Sequence, residues 1–246
     1  MPKIEDLKIK IFADGADLKS IENLNSKNFI KGFTTNPTLM RKSGINDYKK
    51  FATEVLKIVK NKPISFEVFS DDLKEMEAQA MEISSWGSNA NVKIPISNTE
   101  GKSTVDLVRR LSNQGVLCNV TAIFTIQQLK SILDVLDNNA STILSVFAGR
   151  IADAGMDPIP TIRESVVCQK TKPKTSILWA ATREVINIFQ AESLGCQIIT
   201  VPYDMIQKFS NIGKSPENLS LETVSKFYSD AKEAKFSIKL ENIKKK

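Results

Sequence analysis

Eight short apolar or β-branched runs recur along this chain of 246 residues, each followed by an amphipathic stretch, and that alternation restricts the fold more than any other feature. The runs lie at 8–13, 32–35, 64–69, 91–96, 116–121, 142–147, 176–180 and 197–201, and each predicts a strand. The stretches at 17–26, 47–61, 71–86, 99–113, 125–138, 160–170, 183–194 and 203–211 predict helices. Several open on Asp, Ser or Thr, whose side chains accept from the free N–H groups of a first helical turn. A chain of this length suits one large barrel or two small domains. No tract rich in Pro, Gly or Ser divides it, so the expectation is an α/β single-domain (β/α)8 TIM barrel over 1–246. In such a barrel the reacting groups gather at the C-terminal ends of the strands.

Composition narrows the chemistry. The chain contains no histidine, which removes every Ser-His and Cys-His nucleophile and the commonest metal ligand. Cys118, Cys168 and Cys196 stand apart, with neither metal-ligand spacing nor an even-numbered disulfide framework. A net charge of +6 suits anionic partners, but the basic residues are scattered and not interleaved with aromatics, which argues against nucleic acid. The first residues lack the apolar segment of a secretion signal, and no apolar run nears the roughly 18 residues that span a bilayer. The expectation is a cytoplasmic enzyme without membrane contact, working through lysine, carboxylates and hydroxyls.

Strand alternation then selects residues. With Ile64, Phe66 and Val68 facing the helices, Glu67 faces the lumen; with Val92, Ile94 and Ile96 facing out, Lys93 faces in. The same parity places Asn119 and Thr121 inside on the fifth strand, and Ser145 and Phe147 together on the sixth. A lysine in an apolar strand is more often one that snorkels to water. Here polar residues from several strands converge with it, which marks Lys93 as a site residue able to attack a carbonyl once deprotonated. Asp14 ends the first strand, and Thr34, Thr35 and Asn36 end the second. Asp14 alone reads as a turn or cap, but beside Lys93 it becomes a candidate proton carrier. Arg150 and Arg183 follow strands six and seven, where two guanidinium groups suit a phosphate; either alone reads equally well as a surface salt bridge.

The segments Gly32-Phe33-Thr34-Thr35-Asn36-Pro37, Val92-Lys93-Ile94-Pro95, Asn119-Val120-Thr121 and Ser145-Val146-Phe147-Ala148-Gly149-Arg150 resemble the motifs of the transaldolase family. The likeness runs in order from about residue 8 to residue 235, and is strongest to the short branch that also contains fructose-6-phosphate aldolases. It implies a (β/α)8 barrel, no cofactor or metal, phosphorylated sugar substrates, and transfer of a dihydroxyacetone unit within the pentose phosphate pathway. By this resemblance Lys93 is the Schiff-base lysine and Asp14 carries the proton of the C4 hydroxyl. Glu67 and Thr121 would hold a water, while Thr34, Thr35, Asn36, Asn119, Ser145, Phe147, Arg150 and Arg183 would contact sugar or phosphate. Glu67 with Phe147 follows the transaldolase pattern, whereas the simple aldolases carry glutamine and tyrosine at those places. Ala181 stands where the family often has serine, which removes one hydroxyl from the phosphate side.

Beyond the eighth unit, 219–235 predicts a further helix with Ser220 as N-cap and Leu221, Val224, Phe227 and Tyr228 on one face. Periodicity alone allows that face to fold onto its own barrel or onto another subunit. The resemblance implies the second, in a pentamer or decamer with this helix at the interface. The lysine-rich 239–246 segment is expected to fray.

Overall fold

In the computed structural model, which describes residues 3–238, eight parallel strands close into a barrel in sequence order. They are β1 (Lys10–Asp14), β2 (Ile30–Thr34), β3 (Ile64–Glu67), β4 (Ala90–Pro95), β5 (Cys118–Ile123), β6 (Thr142–Val146), β7 (Ser176–Trp179) and β8 (Ile198–Pro202). β1 pairs with both β2 and β8, which closes the ring and leaves no free edge. Strand alternation sends Ile64, Phe66, Val92, Ile94, Cys118 and Val120 outward, where all are buried beneath helices. Full burial of one such aliphatic or aromatic side chain stabilises a fold by roughly 1.5–3 kcal/mol, so the wall between strands and helices is the main core. Inside the barrel, Phe12, Ile143, Leu178, Ala180 and Ile198 form a second, smaller cluster with Phe147 packed against it. That plug fills much of the lumen, and its Leu178 and Ala180 reach the cavity where the polar residues stand.

The helices that cover the wall are α1 (Leu18–Asn25), α2 (Pro37–Lys42), α3 (Tyr48–Ile58), α4 (Leu73–Ser85), α5 (Val105–Asn113), α6 (Ile126–Val135), α7 (Ala148–Asp153), α8 (Ile159–Gln169), α9 (Ile186–Ser193) and α10 (Tyr203–Ile206). The expected acidic caps form: Asp17, Asp47 and Asp72 accept from N–H groups two or three residues on, and Thr125 with Gln128 makes a capping box. Two short helices, α2 and α7, had no counterpart among the periodic stretches. Each lies in a βα loop and contributes cavity residues. The fifth helix begins at Val105 and not near residue 99, because Thr99 bonds to Asp71 and Gly101 takes a positive φ of 78°.

Glycine is required at two lumen-side positions. A Cβ on Gly32 would lie 2.5 Å from the Phe12 ring, so the bare backbone leaves room for the plug. A Cβ on Gly149 would fall 1.5 Å from the Ala181 carbonyl oxygen, so the start of α7 meets the loop after β7 with no space between them. Gly149 N–H also donates to the Ala180 carbonyl at 3.2 Å.

Chain contacts divide the molecule into two compact units, one ending at Phe209 and one beginning at Ser210. The second carries α11 (Pro216–Glu233), which starts earlier than expected. Its cap is Ser215 and not Ser220: the Ser215 hydroxyl accepts from Asn218 N–H, and Pro216 follows at the first helical position, where no N–H is needed. Leu221, Val224, Phe227 and Tyr228 on it are exposed. The 239–246 segment lies outside the described residues. Among the described residues no helix is long and apolar enough to cross a membrane.

Candidate active site

At the C-terminal ends of the strands a cavity of about 810 Å³ opens, lined by residues from β1 to β8 and the loops that follow them. Lys93 stands at its floor. Strand register pairs Lys93 with Glu67 on one side and with Asn119 on the other. Lys93 Nζ donates to Glu67 Oε2 at 2.9 Å and to the Thr35 carbonyl at 3.3 Å. The lysine side chain is 10% exposed and the glutamate 18%, so the pair is nearly dry yet reachable from the cavity.

Asp14 closes the opposite side of the floor. Thr34 Oγ1 donates to Asp14 Oδ1 at 2.7 Å and lies 2.5 Å from Thr200 Oγ1. Burial pushes the Asp14 carboxyl above the ordinary aspartate value, with the Glu67 charge adding to the rise; the Lys93 charge and the Thr34 hydrogen bond pull against it. A carboxyl raised above the ordinary value is a stronger base than a free one, which suits a group that accepts and returns a proton.

Above the floor, Thr121 Oγ1 is buried with no hydrogen-bond partner among the described residues. Its presentation follows from the backbone: the β5–β6 register shifts between Val120 and Ile123, and Ala122 takes a φ of 58°. Ala181, across the cavity, takes a φ of 59°. Left-handed backbone costs a non-glycine residue roughly 1–2 kcal/mol, and strain of this kind concentrates where a site needs an unusual chain path. Phe147 packs at 5.5 Å between ring centroids against Phe124 and forms an apolar wall.

At the rim the two arginines differ. Arg183 Nε donates to Asp153 Oδ1 at 3.0 Å and its Nη2 to Oδ2, so the salt-bridge reading holds for it even though it lines the cavity. The ion pair raises the arginine and lowers the aspartate relative to their ordinary values. Arg150, also at the rim, has no salt-bridge partner among the described residues.

Of the residues expected from sequence, Asp14, Thr34, Asn36, Glu67, Lys93, Thr121, Ser145, Phe147, Arg150 and Arg183 line this cavity. Thr35 and Asn119 do not. The Thr35 hydroxyl donates to the Ser65 carbonyl and only its own carbonyl reaches Lys93. Asn119 is fully buried below, its amide nitrogen donating to Ser65 Oγ at 2.9 Å and its oxygen accepting from Ser145 Oγ at 2.7 Å. The Asn36 side chain caps α2 by accepting from Leu39 N–H. Sequence reasoning missed Thr200, Thr182, Lys42 and Asp204, all at the cavity. Thr200 had a signal, since it shares the inward parity of Ile198. Among the described residues no cluster of three or more His, Cys, Asp or Glu side chains is arranged to hold a metal.

Residues 11–246 match the transaldolase/fructose-6-phosphate aldolase family. The chain belongs to that family. Relatives named as probable transaldolases occur in Dehalococcoides mccartyi, 34% identical over 201 residues covering 81% of this chain and 89% of the relative, and in Thermoplasma volcanium, 33% identical over 230 residues covering 91% and 99%. Solved structures share the barrel at low identity. Orotidine 5'-monophosphate decarboxylase from Metallosphaera sedula superposes with a TM-score of 0.53 at 13% identity, covering 85% of this chain and 98% of that one. A HpcH/Hpal aldolase/citrate lyase family protein from Burkholderia cenocepacia J2315 gives 0.58 at 11% identity, covering 90% and 97%. Those likenesses concern the fold. Family membership places this enzyme in the transaldolase/aldolase group.

The raised Asp14 carboxyl has a consequence for stability. The native carboxyl keeps its proton to higher pH than the unfolded one, so the fold loses stability as pH rises past the ordinary value of 3.8 toward the raised one. Asp14→Asn, which keeps an oxygen to accept from Thr34, is predicted to raise the melting temperature at pH 7. The gain should vanish below the ordinary aspartate value. Melting curves of both proteins across pH check it, and an Asn variant less stable than the native chain at pH 7 would contradict the assignment of the shift to burial.

Proposed function

We propose that the enzyme is a transaldolase that moves a dihydroxyacetone unit from a ketose phosphate, such as fructose 6-phosphate or sedoheptulose 7-phosphate, to an aldose phosphate through a Schiff base on Lys93. The observation that carries this reading is the near-dry Lys93 amine, 2.9 Å from Glu67 Oε2 and facing a cavity whose other wall holds Asp14.

In this reading Glu67 takes the ammonium proton and the free amine attacks the C2 carbonyl, giving a carbinolamine. Its hydroxyl leaves as water after protonation, and an iminium remains. The unpartnered Thr121 hydroxyl and Glu67 suit the binding of the water that shuttles these protons. Asp14 then takes the C4 hydroxyl proton. The C3–C4 bond breaks, its electron pair enters the iminium to give an enamine, and the aldose phosphate departs. The steps reverse on an acceptor aldehyde: the enamine carbon attacks, Asp14 returns its proton to the new hydroxyl, and water hydrolyses the iminium. Arg150 and the unclamped edge of Arg183 suit the phosphate at the rim.

The pairing of Glu67 with Phe147 favours transfer over release. Phe147 presents no hydroxyl that could protonate the enamine, and with Phe124 it makes that wall apolar. The rival, an aldolase that frees dihydroxyacetone, differs in products. With fructose 6-phosphate alone the native chain should release little dihydroxyacetone, and with erythrose 4-phosphate added it should form sedoheptulose 7-phosphate. Phe147→Tyr should shift the balance toward release. Equal release with and without acceptor would establish the aldolase, and neither product would leave a sugar-phosphate-binding barrel.

The same reading includes a homo-oligomer built on α11, supported by its exposed Leu221, Val224, Phe227 and Tyr228. Phe227→Glu is expected to reduce the mass measured by light scattering to that of a smaller species. A native chain that is already monomeric would remove this part of the proposal.

A further inference from the structure

The Tyr48 phenol is a half-buried titratable group that the mechanism above leaves unused. It stands at the first residue of α3, and its ring meets Phe66, Trp86 and Phe69 at centroid distances of 6.2, 5.4 and 4.5 Å. Phe66 and Trp86 themselves pack edge-on at 5.7 Å, so the ring sits among three aromatic neighbours. The hydroxyl donates to the main-chain carbonyl of Glu67 at 3.0 Å, with the Thr35 side chain beside it. Burial pushes the phenol upward, so it stays a neutral donor at physiological pH.

The reason a side chain bonds that carbonyl lies in the ladder between β2 and β3. Phe33 N–H donates to the Pro63 carbonyl at 2.9 Å, and Thr35 N–H to the Ser65 carbonyl at 3.1 Å. The next rung of a parallel ladder, two residues on in each chain, would join the N–H of residue 37 to the Glu67 carbonyl. Residue 37 is proline and has no N–H. The Tyr48 hydroxyl supplies the donor that this rung lacks. The hydroxyl bonds the end of β3 and lies beside Thr35, just past the end of β2; these two ends hold Lys93, Thr35 through its carbonyl and Glu67 through its carboxylate.

We propose that Tyr48 is a positioning residue for the Lys93–Glu67 pair, its hydroxyl replacing the missing Pro37 rung and so fixing the ends of β2 and β3 around the lysine amine. The proposal rests on the Schiff-base reading of the site. It assigns no contact between Tyr48 and substrate, so the effect of losing the hydroxyl falls on turnover and not on sugar-phosphate binding.

Tyr48→Phe keeps the ring and its cluster and removes only the donor. The full-length protein is assayed with fructose 6-phosphate and erythrose 4-phosphate, and the fraction of competent subunits is counted by borohydride trapping at saturating fructose 6-phosphate. Turnover per competent subunit should fall about tenfold, equivalent to ~1.4 kcal/mol, while KM stays within about twofold. Trp86→Phe, which disturbs the cluster but leaves the hydroxyl, should keep native turnover. A purely structural role would lower the competent fraction and the melting temperature but leave turnover per competent subunit unchanged, and that result overturns the proposal. An equal loss in Trp86→Phe also overturns it. If the native chain traps no adduct, the Schiff-base reading fails first; if it traps normally and Tyr48→Phe matches it in turnover, only the role of Tyr48 fails.

Discussion

A lysine ammonium and a glutamate carboxylate 2.9 Å apart, almost out of water at the mouth of a closed barrel, set the terms for the rest of the molecule. Removing charges from water is expensive, and a buried ion pair is weak evidence of stabilisation, because an apolar pair of the same volume often does as well. The barrel therefore retains Lys93 and Glu67 at some cost. The offset comes from the wall, where outward-facing Phe66, Val92, Ile94 and Val120 are fully buried under helices, and from the plug of Phe12, Ile143, Leu178 and Ile198 beneath the site. Strand parity separates much of the work: the outward faces pack under the helices, and the inward faces carry the chemistry at the strand ends with the apolar plug beneath it.

The strand ends around that pair are unusually constrained. Thr34 links Asp14 to Thr200 across β1, β2 and β8, while Asn119 links Ser65 to Ser145 across β3, β5 and β6. Two of these bonds, Thr34 to Thr200 and Asn119 to Ser65, tie non-adjacent strands through the lumen, where the backbone ladder cannot. At the rim, the close approach of Gly149 to the Ala181 carbonyl and the Asp153–Arg183 pair join the loops after β6 and β7. The floor is hydrogen-bonded and nearly dry, and the rim is charged and wet. A small keto group held at the floor with its phosphate at the rim would be oriented by that gradient.

Much of this was legible from alternation alone. Period two separates Glu67 from Phe66 and Lys93 from Val92 without any structural input, and closure of eight units then brings Glu67 and Lys93 together. Thr200 was equally accessible by parity but was hidden inside an apolar run. What the sequence could not supply was any relation that depends on loops or on reach from a helix. The short helices α2 and α7 carry too few residues for a period to register, so the partnership of Arg183 with Asp153 was invisible. Asn119 shared the inward parity, yet only the structure shows it below the cavity and already bonded. Tyr48 lies on a helix and its bond to Glu67 spans from helix to strand end, a distance no periodicity encodes; the one sequence trace was Pro37, a donor missing from a ladder.

The claim on which the account depends is that Lys93 forms the covalent bond. Borohydride reduction of the protein with fructose 6-phosphate, followed by proteolysis and peptide mass analysis, tests it directly. The account predicts a reduced three-carbon adduct on the peptide containing Lys93 and on no other lysine. An adduct on a different lysine, or none at all from substrate that the protein demonstrably binds, would contradict it.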